Sequence, residues 1–124
     1  MSNIPSTLHY TKDHEWVAVD GDQVTVGITQ YAADSLGDVV YVDHPSVGQN
    51  VSLGSIVGEV ESTKSVGEIY APVSGEVTDV NQAVVDDPSL INRDPYGEGW
   101  LFKLTASDLP DMLDADAYRA LIGE

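Results

Sequence analysis

Nowhere in this chain does an apolar run continue far before a glycine, proline or aspartate stops it; 11 glycines and 6 prolines are spread along its 124 residues. Such spacing leaves room for short strands and small helices, and no stretch approaches the roughly 20 apolar residues needed to cross a bilayer. The clearest signal is Asp20-Gly21-Asp22-Gln23 between the apolar runs 16–19 and 24–28, a hairpin signature. Further strands are predicted over 39–42, 55–61, 65–71, 76–80 and 100–104, with Gly48, Gly54, Gly75, Gly97 and Gly99 in the links. Residues 29–36 suit a short helix with Thr29 as N-cap and Gly37 ending it at the left-handed position. Asp87-Pro88 reads as an N-cap followed by proline in the first turn, opening one turn through Ile91. Asp114 caps a last helix over about 114–122, with Leu113 and Tyr118 at hydrophobic-staple positions. Ala117, Ala120 and Leu121 are its expected apolar face, and Gly123 its stop. The expectation is one mainly β domain over 1–124, a sandwich or flattened barrel with short helices at its edges.

Charge narrows the function classes. Against 21 Asp and Glu stand 5 Lys and Arg, a formal net charge of −16. Nucleic-acid binding needs clustered cations, and an anionic membrane surface repels such a chain. With no cysteine, disulfides, Cys-ligated zinc and protein-thiol catalysis are excluded. Residues 1–10 lack both the apolar core of a signal peptide and the Arg-rich bias of a transit peptide, so a cytoplasmic location is expected. His9, His14 and His44 do not form a zinc pattern: His14-Glu15 lacks a second histidine four residues on. Gly97-Glu98-Gly99 comes nearest to a phosphate loop, but it precedes a strand where such a loop should open a helix.

One internal echo stands out. Val57-Gly58-Glu59-Val60 recurs as Val66-Gly67-Glu68-Ile69, and folding the chain between the copies centres on Thr63-Lys64. Ser62 then faces Ser65, Val60 faces Gly67, and Glu59 faces Glu68. Like charges directly opposite are mildly destabilising, and Thr63-Lys64 lacks the Asn-Gly chemistry of a tight turn. Local stability alone does not select this hairpin. Of the three lysines, Lys12 lies in a polar stretch and Lys103 reads as the outward residue of an edge strand. Lys64 alone occupies a hairpin apex, projecting a primary amine away from the body, where an enzyme can dock and modify it. By spacing alone it is an ordinary solvated lysine.

The stretch Gly58-Glu59-Val60-Glu61-Ser62-Thr63-Lys64-Ser65, followed by Tyr70-Ala71-Pro72-Val73-Ser74-Gly75-Glu76-Val77, resembles the lipoylation hairpin of glycine cleavage system H proteins. His14-Glu15-Trp16, Gly27-Ile28-Thr29, Leu36-Gly37-Asp38-Val39-Val40, Asn81-Gln82-Ala83, Leu90-Ile91-Asn92 and Asp94-Pro95-Tyr96-Gly97-Glu98-Gly99-Trp100-Leu101 are similar to the same family, in order, from about residue 8 to the final helix. The resemblance implies a lipoyl/biotinyl-type β sandwich and a non-catalytic carrier with lipoate in amide linkage on Lys64. It implies recognition by lipoylating enzymes through Glu61, which offers a charge, and Gly75, which permits a turn. It also implies three partners: a glycine decarboxylase, an aminomethyltransferase and dihydrolipoamide dehydrogenase. Asp13, Glu15 and Glu68 match positions beside the docked arm, chiefly Glu15 and Glu68, where carboxylates suit a cationic aminomethyl group. Family members carry a small hydroxyl residue near position 13, and this chain has Asp13. By spacing alone all three are surface acids.

Neighbouring carriers fit less well. Lipoyl domains of 2-oxoacid dehydrogenases usually show Asp-Lys-Ala and precede a linker, and biotin carriers flank their lysine with methionines. Two other readings use the same residues: an H-like lipoyl donor to other enzymes, or an unmodified acidic interaction module.

Overall fold

The computed structural model describes residues 4–106 and 109–124, so Met1, Ser2 and Asn3, the first of the residues read for a targeting segment, lie outside it. Each short run becomes a strand because a turn residue is available at both ends. Strands β1 (His9–Tyr10), β2 (Glu15–Asp20), β3 (Gln23–Ile28), β4 (Val39–Asp43), β5 (Asn50–Val51), β6 (Ile56–Ser62), β7 (Val66–Tyr70), β8 (Gly75–Val80) and β9 (Phe102–Thr105) form two sheets. One has the order β1-β2-β3-β9-β8-β5 and the other β4-β6-β7, and neighbours run antiparallel throughout. The two remain separate sheets, giving a sandwich and not a closed barrel. In the β2–β3 hairpin Asp20 pairs with Gln23, so the loop is Gly21-Asp22. Gly21 sits at φ +64°, the positive value that a type II′ turn requires at its first central position. Two-residue β1 and β5 were not expected. Lys103 is not on an edge: β9 lies between β3 and β8, and the Lys103 ammonium stands 5.0 Å over the Trp100 ring.

The main core is mostly valine from both sheets, with Val17, Val24, Val26, Val60 and Val77 around Phe102 and Leu104. β-Branched side chains suit a pleated, buried surface. On the other face of β2 a second cluster gathers Tyr10, Trp16, Ala115 and Tyr118. Tyr10 and Tyr118 stack with centroids 4.9 Å apart. Burying a large apolar ring is worth roughly 1.5–3 kcal/mol, and this holds the final helix onto a two-residue strand.

That helix, α4 (Ala115–Ile122), follows the caps read from sequence: the Asp114 side chain accepts from Ala117 N–H, and Gly123 is left-handed at φ 81°, ψ 26°. Its buried face differs from expectation. Ala115 and Tyr118 turn inward, while Ala117, Ala120 and Leu121 are exposed; one stacked tyrosine outweighs three smaller groups. Helix α1 (Gln30–Leu36) is capped by Thr29, whose Oγ1 accepts from Ala32 N–H at 3.2 Å. Gly37 ends it at φ +83°, ψ −154°, outside the left-handed helical well and in a region open essentially to glycine. Helix α2 (Gln82–Asp86), capped by Asn81, was not expected, and Asp87 ends it. Asp87 also opens the following turn as expected, its carbonyl accepting from Leu90 N–H at 3.1 Å and its carboxylate from the Ser89 hydroxyl at 2.6 Å. The N-cap of α3 (Leu90–Arg93) is Ser89, while Asp87 pairs with Arg93 at 3.0 Å. Among the described residues no helix is long and apolar enough to cross a membrane.

Trp16 pairs with Gly27 across β2 and β3, and the indole lies over the space a side chain there would fill. A Cβ on Gly27 would stand 2.5–2.7 Å from three indole atoms, and the indole is anchored by its N–H to Pro95 C=O at 2.8 Å. Gly27→Ala is expected to cost about 2 kcal/mol, as overpacking of a buried site does. A lowered urea midpoint with an unchanged m-value checks this.

Candidate functional site

The echoed segments pair in the register their sequence suggests: Glu59↔Glu68, Val60↔Gly67 and Glu61↔Val66, closed by Ser62 N–H to Ser65 C=O at 2.8 Å. Thr63-Lys64 is the tip, and both residues are exposed. The missing glycine is replaced by a side chain. Ser62 Oγ accepts from Ser65 N–H at 3.0 Å and Lys64 N–H at 3.3 Å, and donates to Ser65 C=O at 3.1 Å. A serine hydroxyl here mimics the backbone bonds of a turn.

The tip does not stand alone. Thr63 N–H donates to Asp38 C=O at 3.2 Å. The segment beneath is bracketed by Asn92, whose Nδ2 donates to Gly37 C=O at 2.8 Å and whose Oδ1 accepts from Val39 N–H at 2.9 Å. Lys64 therefore does not project straight outward as expected. Its stem lies back across Gly37, where a Cβ would stand 3.4 Å from Lys64 Cε.

Farther along, β7 meets α1 at Gly67, where a Cβ would stand 3.4 Å from Leu36 Cδ2. Beside this contact lies a cleft of about 340 Å³. Leu36, Val60 and Ile69 give it an apolar floor, and Asp13, His14 and Glu68 a polar rim. Asp13 and Glu68 thus share one cleft. Glu15 does not line it. Glu15 is only 1% exposed and forms part of the wall of a second cavity of about 440 Å³. Its Oε2 accepts from Tyr70 N–H at 2.7 Å and its Oε1 from the Thr11 hydroxyl at 3.1 Å. Burial pushes the carboxyl up to about 8, against the opposing pull of these two hydrogen bonds.

The other two expected positions sit apart. Glu61, half-buried, lies between Tyr41 and Val66 in the three-stranded sheet. Gly75 opens β8 in the other sheet and pairs with Val51. Its φ is not positive, so turn freedom is not why glycine stands there. A Cβ would collide with the Thr105 carbonyl, and glycine lets β8 close against β9. Sequence reasoning missed Ser62, Thr11, Asn92 and the Tyr118 hydroxyl. One signal was available: strand alternation puts Glu15 on the same face as core Val17.

Glu15 holds its proton more tightly folded than unfolded. The folded state then binds more protons below about 8, and stability falls as pH rises from the ordinary carboxylate range toward that value. Glu15→Gln keeps an oxygen for Tyr70 N–H and removes the titration. In urea titrations the variant is expected to gain steadily on the wild type between about pH 5 and 8; a constant difference would mean that Glu15 ionises without cost.

The family model described as Glycine cleavage H-protein matches residues 8–123. The glycine cleavage system H protein of Clavibacter sepedonicus is 58% identical over 119 residues, covering 96% of this chain and 97% of the relative. That of Thermobifida fusca (strain YX) is 56% identical over 120 residues, covering 96% and 95%. The crystal structure of a glycine cleavage system H protein from Mycobacterium marinum superposes with a TM-score of 0.93 at 46% identity, covering 98% of this chain and 100% of that one. With a family match across nearly its whole length and relatives above half identity, the chain belongs to the glycine cleavage H-protein family.

Proposed function

We propose that Lys64 carries lipoate in amide linkage and that the chain shuttles the aminomethyl group of glycine between enzymes. The donor is the pyridoxal-phosphate glycine decarboxylase and the acceptor a tetrahydrofolate-dependent aminomethyltransferase, with dihydrolipoamide dehydrogenase restoring the disulfide. As a member of its family the chain is a carrier component of the glycine cleavage system, not one of its catalysts.

The observation that carries the finer reading is the path leading from Lys64. Its stem crosses Gly37, and Leu36, one residue back, lines the cleft. Lipoate supplies a strained disulfide that opens to accept the cargo and closes again on oxidation. The lining suits such a guest. Leu36, Val60 and Ile69 offer apolar surface to a hydrocarbon arm, and Asp13 and Glu68 offer charge-assisted hydrogen bonds to the cargo's ammonium. Held there, the amine is screened from the water that would release it as ammonia and formaldehyde. Glu15, the third acid expected beside the arm, acts behind the other two: it fixes Tyr70 and thereby the end of β7. Glu61, on the strand leading to the tip, is the acid available to a lipoylating enzyme, and Gly75 serves through the seating of β8.

Incubation with lipoate, ATP and a lipoate–protein ligase tests the attachment. Intact mass and peptide mapping are expected to find a single lipoyl adduct on Lys64, absent from Lys64→Arg, whose melting temperature stays unchanged because an exposed tip contributes little to stability. No adduct beside a working ligase control would leave an acidic interaction module.

A second measurement addresses the rim. On protein loaded by glycine decarboxylase, Asp13→Asn with Glu68→Gln is expected to shorten the cargo's half-life by roughly tenfold, the worth of about 1.4 kcal/mol of charge-assisted binding. An unchanged half-life would remove both carboxylates from the cleft's function.

A further inference from the structure

One wall of the cleft holds a histidine in a backbone conformation that its side chain disfavours. His14 lies at φ +68°, and among the described residues no other non-glycine has a positive φ. Such strain persists only where the surroundings fix it. Here His14 N–H donates to Thr11 C=O at 3.1 Å, and its own carbonyl accepts from Thr29 N–H at 3.0 Å. The ring tilts against Tyr31 with centroids 5.0 Å apart and meets Tyr118 edge-on at 5.8 Å. Its Nδ1 stands 2.9 Å from Tyr118 Oη, which stands 2.7 Å from Thr29 Oγ1.

Counting protons gives this chain of contacts a direction. Thr29 is fully buried and its Oγ1 accepts from Ala32 N–H, so its hydroxyl proton goes to Tyr118 Oη. Tyr118 then accepts there, and its single proton goes to His14 Nδ1. Burial pushes the Tyr118 phenol up to about 12, so that proton is always present. An imidazole accepting at Nδ1 carries its own proton on Nε2. The reverse arrangement would turn Tyr118 onto Thr29 and strand a hydroxyl proton in a dry site.

We propose that the Thr29–Tyr118–His14 relay locks His14 as the neutral Nε2–H tautomer, keeping the cleft's carboxylates free for a cationic guest. The tautomer lock stands on geometry alone, and the guest's charge rests on the function proposed above. Tyr31 from α1 and Tyr118 from α4 touch the His14 ring, and Asp13 from its own loop and Glu68 from β7 line the same cleft. Asp13 favours an imidazolium at His14. Were His14 to protonate, its charge would draw on Asp13 and oppose an ammonium entering the same cleft. Burial acts in the same sense as the relay and lowers the affinity of His14 for a proton, against Asp13. His14 is thus a specificity residue, and Tyr118 positions it from the C-terminal helix.

Nitrogen NMR on the unmodified protein reads the tautomer and the titration directly. In the wild type His14 is expected to be protonated on Nε2 alone at neutral pH. Tyr118→Phe keeps the stacked ring, and it is expected to release Nδ1 and raise the His14 pKa by about half a unit or more. Thr29→Ser, which retains the hydroxyl, is expected to behave as wild type. On loaded, lipoylated protein Tyr118→Phe is expected to shorten the cargo's half-life about threefold near pH 6 and little near pH 8. A wild-type His14 protonated on Nδ1 overturns the relay, and this reading needs no variant to fold. So does a Tyr118→Phe protein with unchanged tautomer and pKa. The expected NMR result with an unchanged cargo half-life near pH 6 overturns the specificity role. Failure of the lipoyl reading shows up separately, as an absent mass adduct on Lys64.

Discussion

A buried carboxyl accepting from the last residue of an edge strand fixes where the two sheets of this protein meet. Glu15 belongs to the six-stranded sheet and Tyr70 to the three-stranded one. In the β6–β7 ladder the backbone groups of Glu68 and Tyr70 alternate away from β6, so β7 presents an open edge. The bond to Glu15 occupies that edge at Tyr70 and sets its distance from the loop carrying Asp13 and His14. The cleft is the interval left between them. Its shape follows from a buried acid that burial would otherwise penalise, held because Tyr70 and Thr11 satisfy both of its oxygens.

The hairpin beside the cleft is built against its own local preferences. Asp43, Glu59 and Glu68 face one another in a single row across all three strands, and the tip has no glycine. Cross-strand repulsion of this kind costs a few tenths of a kcal/mol per pair. The compensation comes from elsewhere: Val60 and Ile69 are anchored in the core, Ser62 closes the turn, and Asn92 holds the segment that receives Thr63. Stability is supplied by the body, and the exposed tip is left chemically free.

Much of this was legible in the chain. The repeated Val-Gly-Glu segments gave the register of the hairpin once the chain was folded about Thr63-Lys64. Strict alternation did not, since Val66 is exposed and a bulge beside Val57 lets Val57 and Val60 both turn inward. Caps at Thr29, Asp114 and Gly123 were local chemistry and read directly. What was lost is what depends on partners distant in sequence. The staple position marked Tyr118 for an apolar contact, but nothing local tells that it, and not Leu121, carries the buried face of the helix, because the stacking partner is Tyr10. Gly75 looks like any turn glycine until Thr105 is brought against it. Asp87 opens a turn as the sequence rule has it, yet the same residue also ends the helix before it and binds Arg93, a double use that no local rule shows. Glu15 hid among many acids, although its place two residues before Val17 put it on the inward face.

Gly37 joins three requirements in one missing methyl group. It stops α1 in a dihedral region closed to other residues, it bends the chain so that Asp38 can accept from Thr63, and it leaves bare the surface on which the Lys64 stem rests. The position therefore serves helix, hairpin and the Lys64 stem at once. A side chain there would strain the helix end through its dihedrals, while its Cβ would stand in ordinary contact, 3.4 Å, with Lys64 Cε. Redesign of this carrier for stability has to leave that one residue alone and seek its freedom elsewhere.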